Sequence, residues 1–224
     1  MLDNRSVEAI VFDAYGTLLD VYSVERACAE VTPDPTPFVT LWRAKQLEYT
    51  FQRSLMERYV DFWQVTVDAL DYTAERLGVK LDQAARRRLL ESWLDLKPFP
   101  EVKEALRRLA GRHLAVLSNG TPSMLQTVLD RAGLRSHLTH VLSVDEVGIY
   151  KPSPRVYALA PRHLGVAREA TVFVSGNAWD AAGATSFGFR VAWLNRAGLV
   201  YDRLGQQPEL ELSSLTELAD ALAL

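Results

Sequence analysis

Residues 7–20 read VEAIVFDAYGTLLD, and the fold turns on how this stretch is read. From Val7 to Tyr15 it is largely apolar and partly β-branched, with Asp13 near its end and Gly16 just after. That pattern predicts a strand buried on both faces of a parallel sheet, with its polar residue at the carboxyl end. A carboxylate in that place can cap a following helix or do chemistry. The rest of the chain decides between the two.

The segment that follows is of a different kind. From about Val24 to Leu94 strand signals are few, and apolar residues fall at helical spacing in Phe38–Met56, Tyr59–Leu77 and Asp82–Leu94. Thr32 to Pro35 and the turn Leu77-Gly78-Val79 punctuate them. After Lys97 to Pro100 the pattern alternates. Strands are predicted at Leu114–Leu117, Thr139–Ser143, Ala170–Val174, Arg190–Leu194 and near Leu210. Helices are predicted at Glu101–Leu109, Ser123–Ala132, Pro154–Leu164, Ala181–Phe187 and Ser213–Leu222. This predicts an α/β fold, a doubly wound parallel sheet with an inserted all-helical cap. The core takes residues 1–20 and 98–224, and the cap takes 21–97.

Ligands of such sheets bind beyond the carboxyl ends of the strands. Three predicted strands end in polar clusters: Asp13, then Ser118 with Asn119, then Ser175 with Asn177. A fourth cluster surrounds Lys151 in a loop. All four are expected to meet in one crevice.

Composition removes several function classes. The net charge of −3 is not that of a nucleic-acid binder, and the longest apolar runs are too short to span a bilayer. The single cysteine, Cys28, permits no intrachain disulfide and reads as a small buried hydrophobe. Met1 to Ser6 carries no apolar signal core, so a cytoplasmic location is expected. The four histidines lack ligand spacing, and no metal site or cofactor is expected. Arg86 to Arg88 reads as a solvated helix face.

Asp13 to Asp20, then Ser118-Asn119-Gly120, then Lys151-Pro152, then Ser175 to Asp180 resemble, in this order, the four motifs of the haloacid dehalogenase (HAD) superfamily. Each is short, and their order carries the match. Phosphatases of that superfamily have Asp two residues after the nucleophile and carboxylates near the fourth motif for Mg²⁺. Here those places hold Tyr15, Ser175 and Asn177. The chain resembles the L-2-haloacid dehalogenases in particular. It shares their Asp-Ala-Tyr-Gly-Thr-Leu, a cap stretch from Trp42 and Arg43 to Tyr49, Lys151 with Tyr157 six residues on, and Ser175-x-Asn177-x-Trp179-Asp180. It departs at Ala44, where relatives often have Gln, and at Gly176, where they often have Ser. The first predicts a wider or less polar pocket, the second a looser loop.

The resemblance implies that Asp13 displaces halide from C2 of a small 2-haloacid to form an ester, which water then hydrolyses. It implies that Arg43, Asn119 and Trp179 cradle the halide, and that Ser118 positions the substrate carboxylate. Tyr15, Leu47, Phe62 and Trp179 wall the pocket. Asp180, oriented by Asn177 and Ser175, activates water, while Lys151 and Thr17 hold the Asp13 carboxylate and Tyr157 completes the set. A homodimer is also implied. The same residues have plainer readings: Asp13 and Asp180 as helix caps, Thr17 and Ser118 to Gly120 as turn residues, Lys151 as solvated, Arg43 as a surface ion pair, and Trp42, Leu47, Phe62, Trp63 and Tyr157 as packing. Two other functions stay open at this level: a phosphatase acting on a small phosphate ester, and a non-catalytic binding protein that kept the fold.

Overall fold

The computed structural model describes residues 7–222, so the Met1 to Ser6 reading lies outside it. In chain order the elements begin with β1 (Ala9–Phe12), β2 (Leu19–Asp20), α1 (Glu25–Cys28), α2 (Pro35–Leu55), α3 (Phe62–Leu77), α4 (Gln83–Ser92) and β3 (Lys97–Pro98). There follow α5 (Val102–Arg108), β4 (His113–Ser118), α6 (Pro122–Arg131), β5 (His140–Ser143), α7 (Pro154–Tyr157) and α8 (Leu159–Leu164). The chain ends with β6 (Thr171–Ser175), α9 (Ala178–Phe187), β7 (Arg190–Leu194), β8 (Leu210–Leu212) and α10 (Leu215–Ala221).

Six strands form one parallel sheet in the order β5-β4-β1-β6-β7-β8. β1 is central because all four of its residues are apolar and buried, as a strand covered on both faces requires. Phe12 aligns with Val116 on one side and Val174 on the other, so Asp13, Ser118 and Ser175 emerge at the same sheet edge. There the chain, having run outward through β4 and β5, crosses back to β6, and the reversal opens a crevice.

The helical insertion sits above this edge. α2 buries Phe38, Val39, Trp42, Gln46 and Thr50, a stripe spaced for one helix face. It packs on α3, where Thr66 takes two bonds from α2: Trp42 Nε1 to its carbonyl (2.9 Å) and Gln46 Nε2 to its hydroxyl (2.9 Å). Asp61 caps α3 by accepting from the Gln64 N–H (2.8 Å), and Gly78, at φ +67°, ends it. Among the described residues, no helix is long and apolar enough to cross a membrane.

Several boundaries differ from the sequence reading for identifiable reasons. The helix expected from Tyr59 begins at Phe62 because Asp61 caps it, and Asp82 likewise caps α4 instead of joining it. The single helix expected over Pro154–Leu164 is two, α7 and α8. Pro161 has no N–H to return to the Tyr157 carbonyl, and the turn opens at Ala158. The ribbon β2–β3, with Leu19 paired to Pro98 and Asp20 to Lys97, is too short to leave a periodic signal.

Candidate active site

The loop after β1 carries the central carboxylate. Gly16, at φ +85°, lets the chain turn back so that its N–H bonds the Leu19 carbonyl (2.7 Å). The turn brings Thr17 under Asp13. Asp13 is 6 % exposed and accepts three hydrogen bonds. Thr17 Oγ1 (2.8 Å) and Asn177 Nδ2 (2.9 Å) donate to Oδ2, and Lys151 Nζ (3.1 Å) donates to Oδ1. The carboxylate is therefore fixed in orientation at the floor of the crevice.

Lys151 is 1 % exposed and bridges two carboxylates, lying 2.9 Å from Asp180 Oδ2 as well. Burial by itself would lower its pKa, but Asp13 and Asp180 outweigh that and hold it above the usual lysine value. Asp180 is fully buried, and burial raises its pKa against the opposing pull of Lys151. Its second oxygen accepts from Tyr157 (2.7 Å), whose own pKa burial pushes well up.

The orientation of Asp180 corrects one expectation. The side chains of Asn177 and Ser175 do not hold its carboxylate. Asn177 Nδ2 goes to Asp13 and to the Tyr15 carbonyl (3.0 Å), and Ser175 Oγ accepts from the Asn177 N–H (3.1 Å). Tyr157 and Lys151 hold Asp180 instead. A second correction concerns Gly176. A Cβ there would lie 2.3 Å from the Gly16 carbonyl oxygen, so glycine closes the two loops on each other instead of loosening them.

Asn119, at the end of β4, accepts from the Lys151 N–H through Oδ1 (3.1 Å), which leaves its Nδ2 for another partner. Ser118 Oγ accepts from the Gly120 N–H (3.2 Å) and keeps its O–H to donate. The cap supplies Arg43, which is partly buried on α2 with its guanidinium carbon 6.0 Å from the Trp93 ring centre. Its one hydrogen bond, to Gln46 Oε1, is long at 3.4 Å, and among the described residues no carboxylate forms a salt bridge with it. Burial lowers its pKa, opposed first by Asp13, and an arginine stays charged all the same. A cation this poorly paired above a buried carboxylate can receive an anion.

Phe62 packs its ring 5.6 Å from that of Tyr15, and Leu47 lies half-buried one turn beyond Arg43. Trp179, in the first turn of α9, packs edge-on to Phe51 (5.1 Å). It also borders an apolar cavity of about 470 Å³ shared with Phe51, Leu55, Ile149, Tyr150 and Lys151. Sequence reasoning passed over Trp93, which packs at a tilt against Tyr15 (5.9 Å) and edge-on to Trp42 (5.6 Å), and no local pattern marked it. It also passed over Arg196, which stacks on Phe99 (3.7 Å) and donates to the Thr17 carbonyl (2.9 Å).

The Lys151 ammonium lies between Asp13 and Asp180 and contacts both. Among the described residues, no three His, Cys, Asp or Glu side chains group as ligands.

The family model for haloacid dehalogenase-like hydrolases matches residues 7–188. An (S)-2-haloacid dehalogenase of Pseudomonas sp. (strain YL) is 49 % identical over 96 % of this chain and 94 % of its own. The chain belongs to the haloacid dehalogenase-like hydrolases, in their L-2-haloacid dehalogenase branch. A haloacetate dehalogenase, H-2, of Moraxella sp. (strain B) is 42 % identical over 98 % of this chain and 99 % of that one. The solved L-2-haloacid dehalogenase of Xanthobacter autotrophicus, with chloropropionic acid covalently bound, superposes with a TM-score of 0.93. It is 35 % identical, over 96 % of this chain and 98 % of that chain.

Proposed function

We propose that this dehalogenase converts short L-2-haloacids to D-2-hydroxy acids and halide through an ester on Asp13, without a metal ion. The observation that carries the reading is a rigidly held, buried Asp13 together with an Arg43 guanidinium of the cap that, among the described residues, has no carboxylate partner. The first is a nucleophile that cannot rotate away; the second is a receptor for the anion that leaves.

In the first step an Asp13 oxygen bonds to C2 while the carbon–halogen bond breaks, and the halide takes the bonding pair toward Arg43 and Asn119. A halide needs no proton, so Tyr15 can stand where a phosphatase carries an acid. Ser118 holds the substrate carboxylate, and Phe62, Leu47, Tyr15 and Trp179 enclose its alkyl part. In the second step water adds to the Asp13 carbonyl carbon and gives its proton to Asp180, whose raised pKa suits a base. Lys151 and Thr17 face the oxyanion that forms. Collapse of the intermediate breaks the Asp13–oxygen bond, the departing hydroxy-acid oxygen takes the proton back from Asp180, and Asp13 gives the remaining water proton to solvent as its carboxylate returns.

The reading includes a division into a core of 1–20 and 98–224 and a cap of 21–97, since the β2–β3 ribbon sits at both crossings. It also includes a cytoplasmic homodimer. Leu55, Met56 and Tyr72 expose apolar surface on the cap that a second copy would cover, and sedimentation at twice the monomer mass is the check.

The deciding experiment is halide release from L- and D-2-chloropropionate in excess EDTA. Turnover of the L form alone, undiminished by chelator, is expected. Mg²⁺-dependent cleavage of a small phosphate ester without halide release would return the chain to the phosphatases.

A further inference from the structure

Tyr15 carries a hydroxyl that the reaction as described leaves idle. Its oxygen is buried, and no group among the described residues hydrogen-bonds it. An unbonded buried hydroxyl is destabilising, and the penalty is relieved when an acceptor arrives. The ring cannot easily swing away, because Phe62 (5.6 Å) and Trp93 (5.9 Å) both pack against it.

The direction of the hydroxyl follows from Gly120. A Cβ on that glycine would lie 2.9 Å from the Tyr15 oxygen, so the phenol fills the space a side chain would take there. Gly120 follows Asn119, whose Nδ2 is the free half of its amide. Asp13 and Arg43 both act electrostatically on the same hydroxyl. The O–H thus lies against Gly120, the residue that follows Asn119 at the end of β4.

We propose that the Tyr15 O–H is a third donor to the departing halide, beside Arg43 and Asn119. This rests on the dehalogenase reading above. Asp13 supplies the electron pair of the new C2–O bond, the halide leaves with the pair of the broken bond, and Tyr15 keeps its proton throughout. Burial, reinforced by Asp13 and opposed by Arg43, holds its pKa above the usual phenol value, so it stays a donor.

The test uses the halogen. Chloride accepts hydrogen bonds well and iodide poorly, so losing a donor must hurt chloride departure more. The quantity to follow is kcat/KM, which ends at ester formation and is blind to later hydrolysis. For Tyr15→Phe it should fall about tenfold or more with L-2-chloropropionate and less than about threefold with L-2-iodopropionate. Equal loss with both halogens would mean packing or a contact to the substrate carboxylate, and would overturn the assignment, as would no loss at all. Wild-type halide release is measured alongside. Its absence would refute the dehalogenase reading itself, whereas a halogen-blind variant beside an active wild type refutes only the Tyr15 role. If Tyr15→Phe does not fold, Gly120→Ala displaces the phenol by contact, and the same chloride-selective loss is required.

Discussion

Asp180 is a fully buried carboxylate between a cation and a phenol, and its chemistry is set by that balance. Burial raises its pKa; the bonds from Lys151 and Tyr157 lower it. The Tyr157 bond favours the charged form, so removing it must raise the pKa further. Ester hydrolysis needs the unprotonated carboxylate. In Tyr157→Phe the acid limb of the kcat–pH profile should therefore move to higher pH, and kcat should fall by about tenfold or more. The alkaline limb, where Lys151 would lose its proton, lies above the usual lysine value and should stay outside the working range. A profile of unchanged shape in Tyr157→Phe would remove Tyr157 from the positioning of Asp180.

Between elements, the site depends on two loops that touch through glycine. The Gly176 N–H donates to Thr17 Oγ1 (2.8 Å), and the same hydroxyl donates to Asp13, so a shift of either loop reaches the nucleophile directly. Gly176→Ala places a methyl where the Gly16 carbonyl now sits. It should cost about 1–3 kcal/mol in urea unfolding and lower kcat more than KM. This loop contact was not legible in the sequence, because nothing local reports how closely two distant loops approach. What was legible is what strand chemistry exposes. Asp13, Ser118 and Ser175 end apolar runs, and a parallel sheet must bring such ends to one edge. The break at Ala158 was readable in principle from Pro161, but the apolar spacing over Pro154–Leu164 outweighed it. Arg43 had only its motif to mark it. By periodicity alone it was a surface charge, and only the packing of α2 over the sheet edge turns it toward Asp13.

At the scale of the molecule, the proposed mechanism takes its reacting groups from the core and part of its halide receptor from the cap, so the two must be held together for it to operate. The core loop before Lys151 makes that link. Tyr150 donates from its hydroxyl to the Val60 carbonyl (2.6 Å), its N–H donates to Ser54 Oγ (3.2 Å), and its ring packs on Tyr59 and Phe62. Tyr59 in turn donates to Asp145 on the core. In Tyr150→Phe the ring contacts remain while one cap–core hydrogen bond is lost, worth about 1 kcal/mol. The urea midpoint should fall accordingly. Because the core keeps Asp13, Lys151 and Asp180 in place, the kinetic cost should fall on assembling the cap around substrate. kcat/KM should drop about fivefold, carried by KM. A loss carried by kcat with stability unchanged would mean that Tyr150 acts through its neighbour Lys151, and that the cap closes without it.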